Sequence, residues 1–197
     1  FHMQQPGRPR EFDPDEVLSK IMQLFWENGY EGTGLSDIIA ATGMGKASLY
    51  SAFGNKQEMY LKALARYEAL MVDSAVAILR AGDRPPLERI NAFLSAPITA
   101  VRDNADRRGC FLCNAAADRA SLDPKTGAVV LRGYAKMRSA ITEALNADRP
   151  DQDDDATAQH AQLVLTVYSG LRVMARSGMK NEDLEMAKIA VLENLTG

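Results

Sequence analysis

Residues 33–56 read TGLSDIIAATGMGKASLYSAFGNK, and this stretch predicts two short helices that cross at a tight turn before a third helix begins. Thr33 carries a hydroxyl that can accept from a free backbone N–H, as a helix N-cap does. Leu35 and Ile38 then fall on one helical face, and Gly43 can adopt the positive φ that often ends a helix. Two helices of about two turns each, joined by a short link with a glycine, are typical of a helix-turn-helix.

The second helix of this pair presents small, hydroxylated and cationic side chains that suit close approach to DNA. Its inward residues are expected to be Met44, Leu49, Ala52 and Phe53. A recognition helix places its N-terminal residues against base edges, so the expected DNA-facing residues are Gly45, Lys46, Ala47, Ser48, Tyr50 and Ser51. Asn55 repeats the helix-start signal, and Lys56 therefore lies at a helix N-terminus, which favours an anion such as a DNA phosphate. Tyr50 is expected to join Lys56 at that phosphate, and Thr33 is included among the predicted DNA contacts.

Residues 29–56, GYEGTGLSDIIAATGMGKASLYSAFGNK, resemble the DNA-binding signature of TetR/AcrR-type transcriptional regulators. The likeness combines about two dozen positions, including the spacing of Leu49–Tyr50, Phe53 and Lys56, and it extends from about Phe12 to Lys62. It implies a ligand-responsive DNA-binding regulator rather than an enzyme. Such a regulator is most often a repressor that a small-molecule or electrophile effector releases from a palindromic operator. The resemblance also implies a homodimer formed through the last two helices.

The composition of the whole chain is that of an ordinary globular protein. It has 197 residues, of which 46% are hydrophobic and 25% charged, with neither an 18-residue apolar run nor a signal-peptide pattern. A cytoplasmic protein without a membrane partner is therefore expected, with Met3 as the native start. The net charge of −3 excludes a uniformly basic protein, but DNA affinity depends on cations presented locally to phosphates. Arg8 and Arg10, with Lys46 and Lys56, could form such a patch.

The rest of the pattern is helical, and the sequence predicts an all-α fold of about nine helices without strands. Residues 1–11 are expected to form a flexible arm, in which Arg8 and Arg10 either enter a minor groove or belong to a disordered tail. Residues 12–56 form the predicted helix-turn-helix domain, and residues 57–197 the effector-binding and dimerisation domain. Further helices are predicted at about 55–79, 86–104, 109–119, 123–147, 155–178 and 181–195.

Cys110 and Cys113 form the only cysteine pair of the chain. A thioredoxin-like motif would need neighbouring strands, and zinc would need ligands that His2 and His160 do not supply at a suitable spacing, so no metal or cofactor is predicted. One interpretation is that both thiols are small buried hydrophobes. The other is that Cys110, near a helix N-terminus and following Arg107 and Arg108, has a lowered pKa and senses electrophiles or oxidants. A helical thiol-redox protein using both cysteines is the alternative function, and a helical protein-binding adaptor is a third.

The resemblance further implies an effector pocket among the middle helices. Aromatic and methionine side chains supply adaptable apolar surface, to which a few polar groups add specificity. The candidate lining residues are Phe93, Phe111, Cys113, Tyr134, Met137, Tyr168 and Met174. Each of them also fits a plain core position.

Overall fold

The computed structural model describes residues 12–196, and the regular structure in this range consists of nine helices. They are α1 (Pro14–Asn28), α2 (Leu35–Thr42), α3 (Lys46–Phe53), α4 (Lys56–Tyr67, continued by Glu68–Val72 and Asp73–Arg80), α5 (Pro86–Asn104), α6 (Phe111–Asp118), α7 (Pro124–Asp148), α8 (Asp154–Ser177) and α9 (Asn181–Thr196). The predicted all-α fold is confirmed. Arg8 and Arg10 lie outside the described residues.

Local capping explains where the first and fourth helices begin. The side chain of Asp13 accepts from the backbone N–H of Asp15 at 2.9 Å, and Pro14 occupies the first helical position of α1. At α4, the Asn55 side chain accepts from the N–H of Glu58 at 3.0 Å, and the Glu58 carboxylate accepts from the N–H of Asn55 at 2.7 Å. This reciprocal capping box sets the position of Lys56 at the helix N-terminus.

Thr33 does not cap α2 as the sequence predicts. The N-cap is Gly34, whose N–H donates to the Asp37 carboxylate at 2.7 Å. Thr33 is fully buried, and its hydroxyl donates to the backbone carbonyls of Gly29 at 2.8 Å and Leu24 at 3.2 Å. The prediction was wrong because these carbonyls at the end of α1 compete for the same hydroxyl. Through these hydrogen bonds, Thr33 holds the loop between α1 and α2 against the end of α1.

The core of the N-terminal unit is formed by α1, α2, α3 and the first half of α4. Its fully buried side chains include Ile21, Phe25, Ile38, Leu49 and Met59. Complete burial of such a side chain stabilises the fold by roughly 1.5–3 kcal/mol. Ala52, which was expected to face inward, is instead exposed. The α2–α3 pair is thus held by large apolar residues on one side of α3 only.

A π-helical turn over Glu68–Val72 interrupts α4 where the helix passes along α7. The carboxylate of Glu68 is 5% exposed and pairs with Arg132 at 2.6 Å and with Lys136 at 2.9 Å, both on α7. The Arg132 hydrogen bond, helped by Lys136, keeps the pKa of Glu68 below its usual value. This ion pair joins the long helix that leaves the N-terminal unit to the C-terminal helices.

The C-terminal helices α5 to α9 pack around a second group of buried aromatic and aliphatic side chains. The rings of Phe93 on α5 and Tyr168 on α8 stack with their centroids 4.0 Å apart. Among residues 12–196, no helix combines the length and apolarity needed to cross a membrane.

Candidate DNA-binding face and buried cysteine pair

The exposed side of α3 carries the residues that the sequence assigns to DNA. Leu49 and Phe53 are 0% and 5% exposed and anchor the helix against the unit core. The six residues predicted to face DNA all lie at the surface: Gly45, Lys46, Ala47, Ser48, Tyr50 and Ser51. Gly45 is the N-cap of α3, so the short side chains of Ala47 and Ser48 lie in its first turn. Thr33 is buried and is not part of this face.

A second feature of this surface is the cationic N-terminus of α4. The Lys56 ammonium lies 4.5 Å from the centre of the Tyr30 ring, and Lys46 lies 5.7 Å from the centre of the Tyr50 ring. Both distances are within cation–π range. Lys62 donates to the carbonyl of Phe53 at 3.0 Å and so satisfies the C-terminal end of α3. The first residue of α3, Lys46, and the first residue of α4, Lys56, are both cations.

The two cysteines are both free, buried and in mutual contact. Cys110 is the N-cap residue of α6, and it is 3% exposed while Cys113 is 5% exposed. The side chains of Cys113 and Tyr67 adjoin the sulfur of Cys110 and shift its pKa, and those of Tyr134 and Ser169 do the same at Cys113. The pair therefore lies where α4, α6, α7 and α8 meet.

These contacts shift the pKa values of the two thiols in opposite directions. The hydrogen bond from Cys113 lowers the pKa of Cys110, and the positive charge of Arg172 lowers it further. The same hydrogen bond and burial raise the pKa of Cys113. Cys110 is consequently the thiol that ionises first, and the thiolate is the nucleophilic form of cysteine.

Arg172 on α8 is the cation at this site, rather than the two arginines that precede Cys110 in the chain. Its guanidinium hydrogen-bonds the Tyr168 hydroxyl at 2.9 and 3.1 Å. Arg108 is instead paired with Asp106 at 2.8 Å, and Arg107 donates to the carbonyl of Ala175 at 3.2 Å. The predicted source of the charge was wrong because residues adjacent in sequence point elsewhere, while α8 brings Arg172 in from 62 positions along the chain.

Five of the seven candidate pocket residues are buried in the core, Tyr134 is partly exposed and Met174 is exposed. Phe93 and Tyr168 fill the core, Phe111 packs edge-on to Tyr67 at 5.7 Å, and Met137 is 1% exposed. Cys113 and Tyr134 adjoin each other, whereas Met174 is 44% exposed on α8. Tyr134 also borders a surface groove of about 240 Å³ between α7 and α8, lined by Leu131, Tyr134, Ala135, Arg138, Gln162 and Leu165.

This all-helical fold with an exposed helix-turn-helix defines a class of bacterial DNA-binding regulator. Residues 17–63 match the family model of bacterial regulatory proteins of the tetR family. Residues 86–189 match the C-terminal domain of LmrA/YxaF-like transcriptional regulators. The chain belongs to the TetR family of transcriptional regulators.

Relatives cover nearly the whole chain. The transcriptional repressor ComR of Escherichia coli K12 is 28% identical over 185 residues, which is 90% of this chain and 86% of ComR. The repressor BdcR of the same strain is 28% identical over 179 residues, covering 91% of this chain and 87% of BdcR. A solved structure of a cysteine mutant of the TetR-family regulator CifR, complexed with 26-bp operator DNA, has a TM-score of 0.80 at 27% identity. That match covers 95% of this chain and 98% of the CifR chain.

The sequence prediction missed three residues that contact the cations or thiols of these sites: Tyr30, Arg119, whose guanidinium carbon lies 4.0 Å from the centre of the Tyr30 ring, and Arg172. Tyr30 lies within the DNA-binding signature but carries no local mark of a role, and Arg119 and Arg172 reach their sites only through tertiary packing. A basic residue at the end of a short helix is too common to single out. No pattern in the sequence could have paired Arg119 with Tyr30 or Arg172 with Cys110.

Proposed function

We propose that this chain is a homodimeric repressor that binds a palindromic operator through α3 and leaves it when an effector engages the Cys110–Cys113 site. The observation that carries the proposal is the exposed face of α3, which is anchored from behind by Leu49 and Phe53. CifR, which shares the fold and is bound to operator DNA in its own structure, supports operator binding by this fold. The proposal assigns DNA binding to residues 12–56 and signal reception and dimerisation to residues 57–197.

In the proposed complex, the first turns of α3 enter the major groove. Lys46, Ala47, Ser48 and Ser51 would face base edges, with Gly45 allowing close approach of the backbone. Tyr50 and Lys56 would contact phosphate, which positions the protein without reading sequence. For Arg8 and Arg10, a contact in the adjacent minor groove stays a prediction.

A homodimer through α8 and α9 is supported by the apolar side chains that these helices leave in water. The exposed ones are Leu163, Val173, Met174, Met186 and Ile189. Large apolar groups gathered on two neighbouring helices are typical of a protein interface. A Cβ built on Gly170 of α8 would meet no atom within 4 Å, so a partner helix has room to approach there. A two-fold dimer would place its recognition helices on half-sites roughly 34–36 Å apart.

The proposed dimer interface can be tested by introducing charged side chains into it. Replacing Met186 and Ile189 together by glutamate would bury two like charges per subunit at the interface, and we expect a monomer in sedimentation velocity. The control is Leu122→Glu together with Leu131→Glu, since these two are 72% and 70% exposed on or next to α7. A dimer that survives in the first variant would refute the proposed interface.

Signal reception is assigned to the cysteine pair because it combines two thiols, a nearby guanidinium and two phenols. An electrophile of the enone or maleimide class would react with the Cys110 thiolate. The sulfur lone pair forms a C–S bond to the β-carbon, the C=C π electrons move to the carbonyl side, and the α-carbon takes a proton from solvent. The adduct would occupy volume in a close-packed core and force the surrounding helices apart.

A non-covalent effector is a second possibility, favoured by the groove that Tyr134 borders between α7 and α8. Tyr134 also adjoins Cys113 and influences its pKa, so it lies between the groove and the thiol. Release from DNA that is unaffected when both cysteines are replaced by serine would favour this groove over the thiols.

Operator binding is tested by fluorescence anisotropy with a DNA fragment from upstream of the chain's own gene. Lys56→Gln is expected to weaken binding to all sequences and to lower the slope of log K against log salt by about 0.9. Lys46→Ala is expected to change sequence preference instead. Arg84→Gln is the matched control, because it removes one exposed cation beyond the far end of α4, roughly 37 Å from Lys56. Equal effects of Lys56→Gln and Arg84→Gln would refute the phosphate contact.

The thiol signal is tested by treating the protein with N-ethylmaleimide and locating the adduct by mass spectrometry. We expect wild-type protein to lose operator affinity, while Cys110→Ser keeps its affinity after treatment. Cys113→Ser is the control that retains the more acidic thiol and should still respond. Loss of affinity in the absence of a Cys110 adduct would contradict the assignment.

A further inference from the structure

The ring of Tyr30 is shared by two cations from different parts of the chain. The Lys56 ammonium lies 4.5 Å from its centre, and the guanidinium carbon of Arg119 lies 4.0 Å from the same centre. Tyr30 itself is held by aromatic neighbours: Phe25 stacks at 6.3 Å and Tyr60 packs edge-on at 5.1 Å. The ring is thus a fixed platform between the N-terminal unit and the end of α6.

Arg119 belongs to the effector-binding half of the chain, as the residue that follows α6. Its side chain is 20% exposed, and it pairs with the Glu31 carboxylate at 3.6 Å. Its Nε is buried and has no hydrogen-bond acceptor among residues 12–196. The guanidinium therefore has two partners, the ring of Tyr30 and the Glu31 carboxylate, and a planar guanidinium over an aromatic face is a favourable pair.

A neighbouring contact joins the same two parts of the protein. The Gln57 amide, one residue after Lys56, donates to the Asp123 carboxylate at 3.1 Å. Asp123 is buried and caps α7, so the link that follows α6 is fixed against the first turn of α4. The first turn of α4 therefore contacts the segment around Arg119 at two places, the Tyr30 ring and the Gln57–Asp123 hydrogen bond.

We infer that Arg119 is a positioning residue for DNA binding: through Tyr30 it holds the Lys56 ammonium where a phosphate can meet it. The inference rests on the phosphate contact of the proposed function. Lysine has a flexible four-carbon stem, and an ammonium that is already held over a ring loses less freedom when it binds phosphate. Without Arg119, the ring keeps Phe25 and Tyr60 but loses its third partner, so the ring and the Lys56 ammonium over it are held less firmly.

This arrangement also connects the thiol site with DNA. Helix α6 has eight residues and is roughly 12 Å long, with Cys110 as its N-cap and Arg119 directly after its last residue. A short helix moves as a rigid body. A displacement of Cys110 would therefore also displace Arg119 at the other end of α6, and with it the contact to the Tyr30 ring. The effector half would thereby control one phosphate contact directly.

A double-mutant cycle in the full-length protein tests the inference. Operator affinity is measured by anisotropy over a series of NaCl concentrations for wild type, Lys56→Gln, Arg119→Ala and the double variant. Arg119→Ala is expected to weaken binding about two- to five-fold, the range of a partly exposed cation–π pair. In the Lys56→Gln background the same change should have no effect, because the residue it positions is gone.

Ring variants separate positioning from general damage. Tyr30→Phe keeps the aromatic face and should bind as wild type, whereas Tyr30→Leu should match Arg119→Ala. Circular dichroism melts check that each variant is folded. If Arg119→Ala unfolds, Arg119→Gln replaces it, since it removes the cation but keeps much of the side-chain stem, and it should weaken binding by a similar factor.

The outcomes distinguish this inference from the proposal beneath it. Suppose that Lys56→Gln lowers the salt slope, and that Arg119→Ala weakens operator binding as much in the Lys56→Gln background as in wild type. Arg119 then acts on DNA independently of Lys56, and only this inference fails. If Arg119→Ala leaves affinity unchanged in wild type, the inference also fails. If Lys56→Gln leaves both the operator affinity and the salt slope unchanged, the proposed phosphate contact is refuted, and so is the inference that rests on it.

Discussion

Replacing Glu68 by glutamine removes one negative charge from the π-helical turn of α4 with almost no change of shape. The wild-type carboxylate is 5% exposed and is held by Arg132 at 2.6 Å and by Lys136 at 2.9 Å. A hydrogen bond to a charged group contributes about 1.5–3 kcal/mol. Arg132 and Lys136 are 53% and 41% exposed, so in the variant they regain water, and glutamine keeps one neutral acceptor. We therefore expect a net loss of about 2 kcal/mol in the free energy of unfolding.

This loss should lower the melting temperature by roughly 4–8 °C for a protein of this size, measured by circular dichroism at equal protein concentration. The matched control is Glu143→Gln. Glu143 also joins α7 to α4, through two hydrogen bonds of 2.7 Å to Arg80, but its side chain is 50% exposed. Because water screens that pair, its loss should lower the melting temperature clearly less.

The effect of Glu68→Gln should also depend on pH. Hydrogen bonding to Arg132 lowers the pKa of Glu68 in the folded state, so the stabilisation is fully present above the usual pKa of 4.5. It is lost as the pH falls through the lower folded-state value. The difference between wild type and variant should thus be constant from neutral pH to about pH 6 and shrink below about pH 4. A difference that persists unchanged in acid, or a loss no larger than that of Glu143→Gln, would refute the reasoning.

Three further outcomes follow from local geometry. Gly54→Ala should cost about 2 kcal/mol in urea unfolding, because φ is +82° and the new Cβ would overlap the Glu58 side chain. Gly45→Ala, with φ −71° and no atom within 4 Å, should change stability little, and equal losses would contradict this. Asn55→Ala should cost about 1 kcal/mol by removing the N-cap of α4, and Asn55→Ser should restore most of it in the same unfolding assay. Trp26 is the only tryptophan, and its ring centre lies 4.9 Å from that of Tyr67, which in turn adjoins Cys110. N-ethylmaleimide should therefore change the tryptophan fluorescence of wild type but not that of Cys110→Ser.

Several helix ends could be predicted because the signals that set them are local. Asn55 lies where α4 begins, and Gly43 has a positive φ where α2 ends. Such signals act through hydrogen bonds and backbone conformations within a few residues. The helix-turn-helix, the outward position of Lys46 and the N-terminal position of Lys56 follow from the same local chemistry. For these features the sequence is sufficient.

The remaining features depend on groups that are distant in the chain. Thr33 had a plausible role as a cap, but the end of α1 offered two carbonyls that no local pattern reveals. Cys110 could be recognised as unusual, while the cation beside it is Arg172 on α8. The two cations that share the ring of Tyr30 are 63 positions apart. Electrostatic and packing interactions act over a few ångströms regardless of sequence separation, so only the folded structure determines which charges meet.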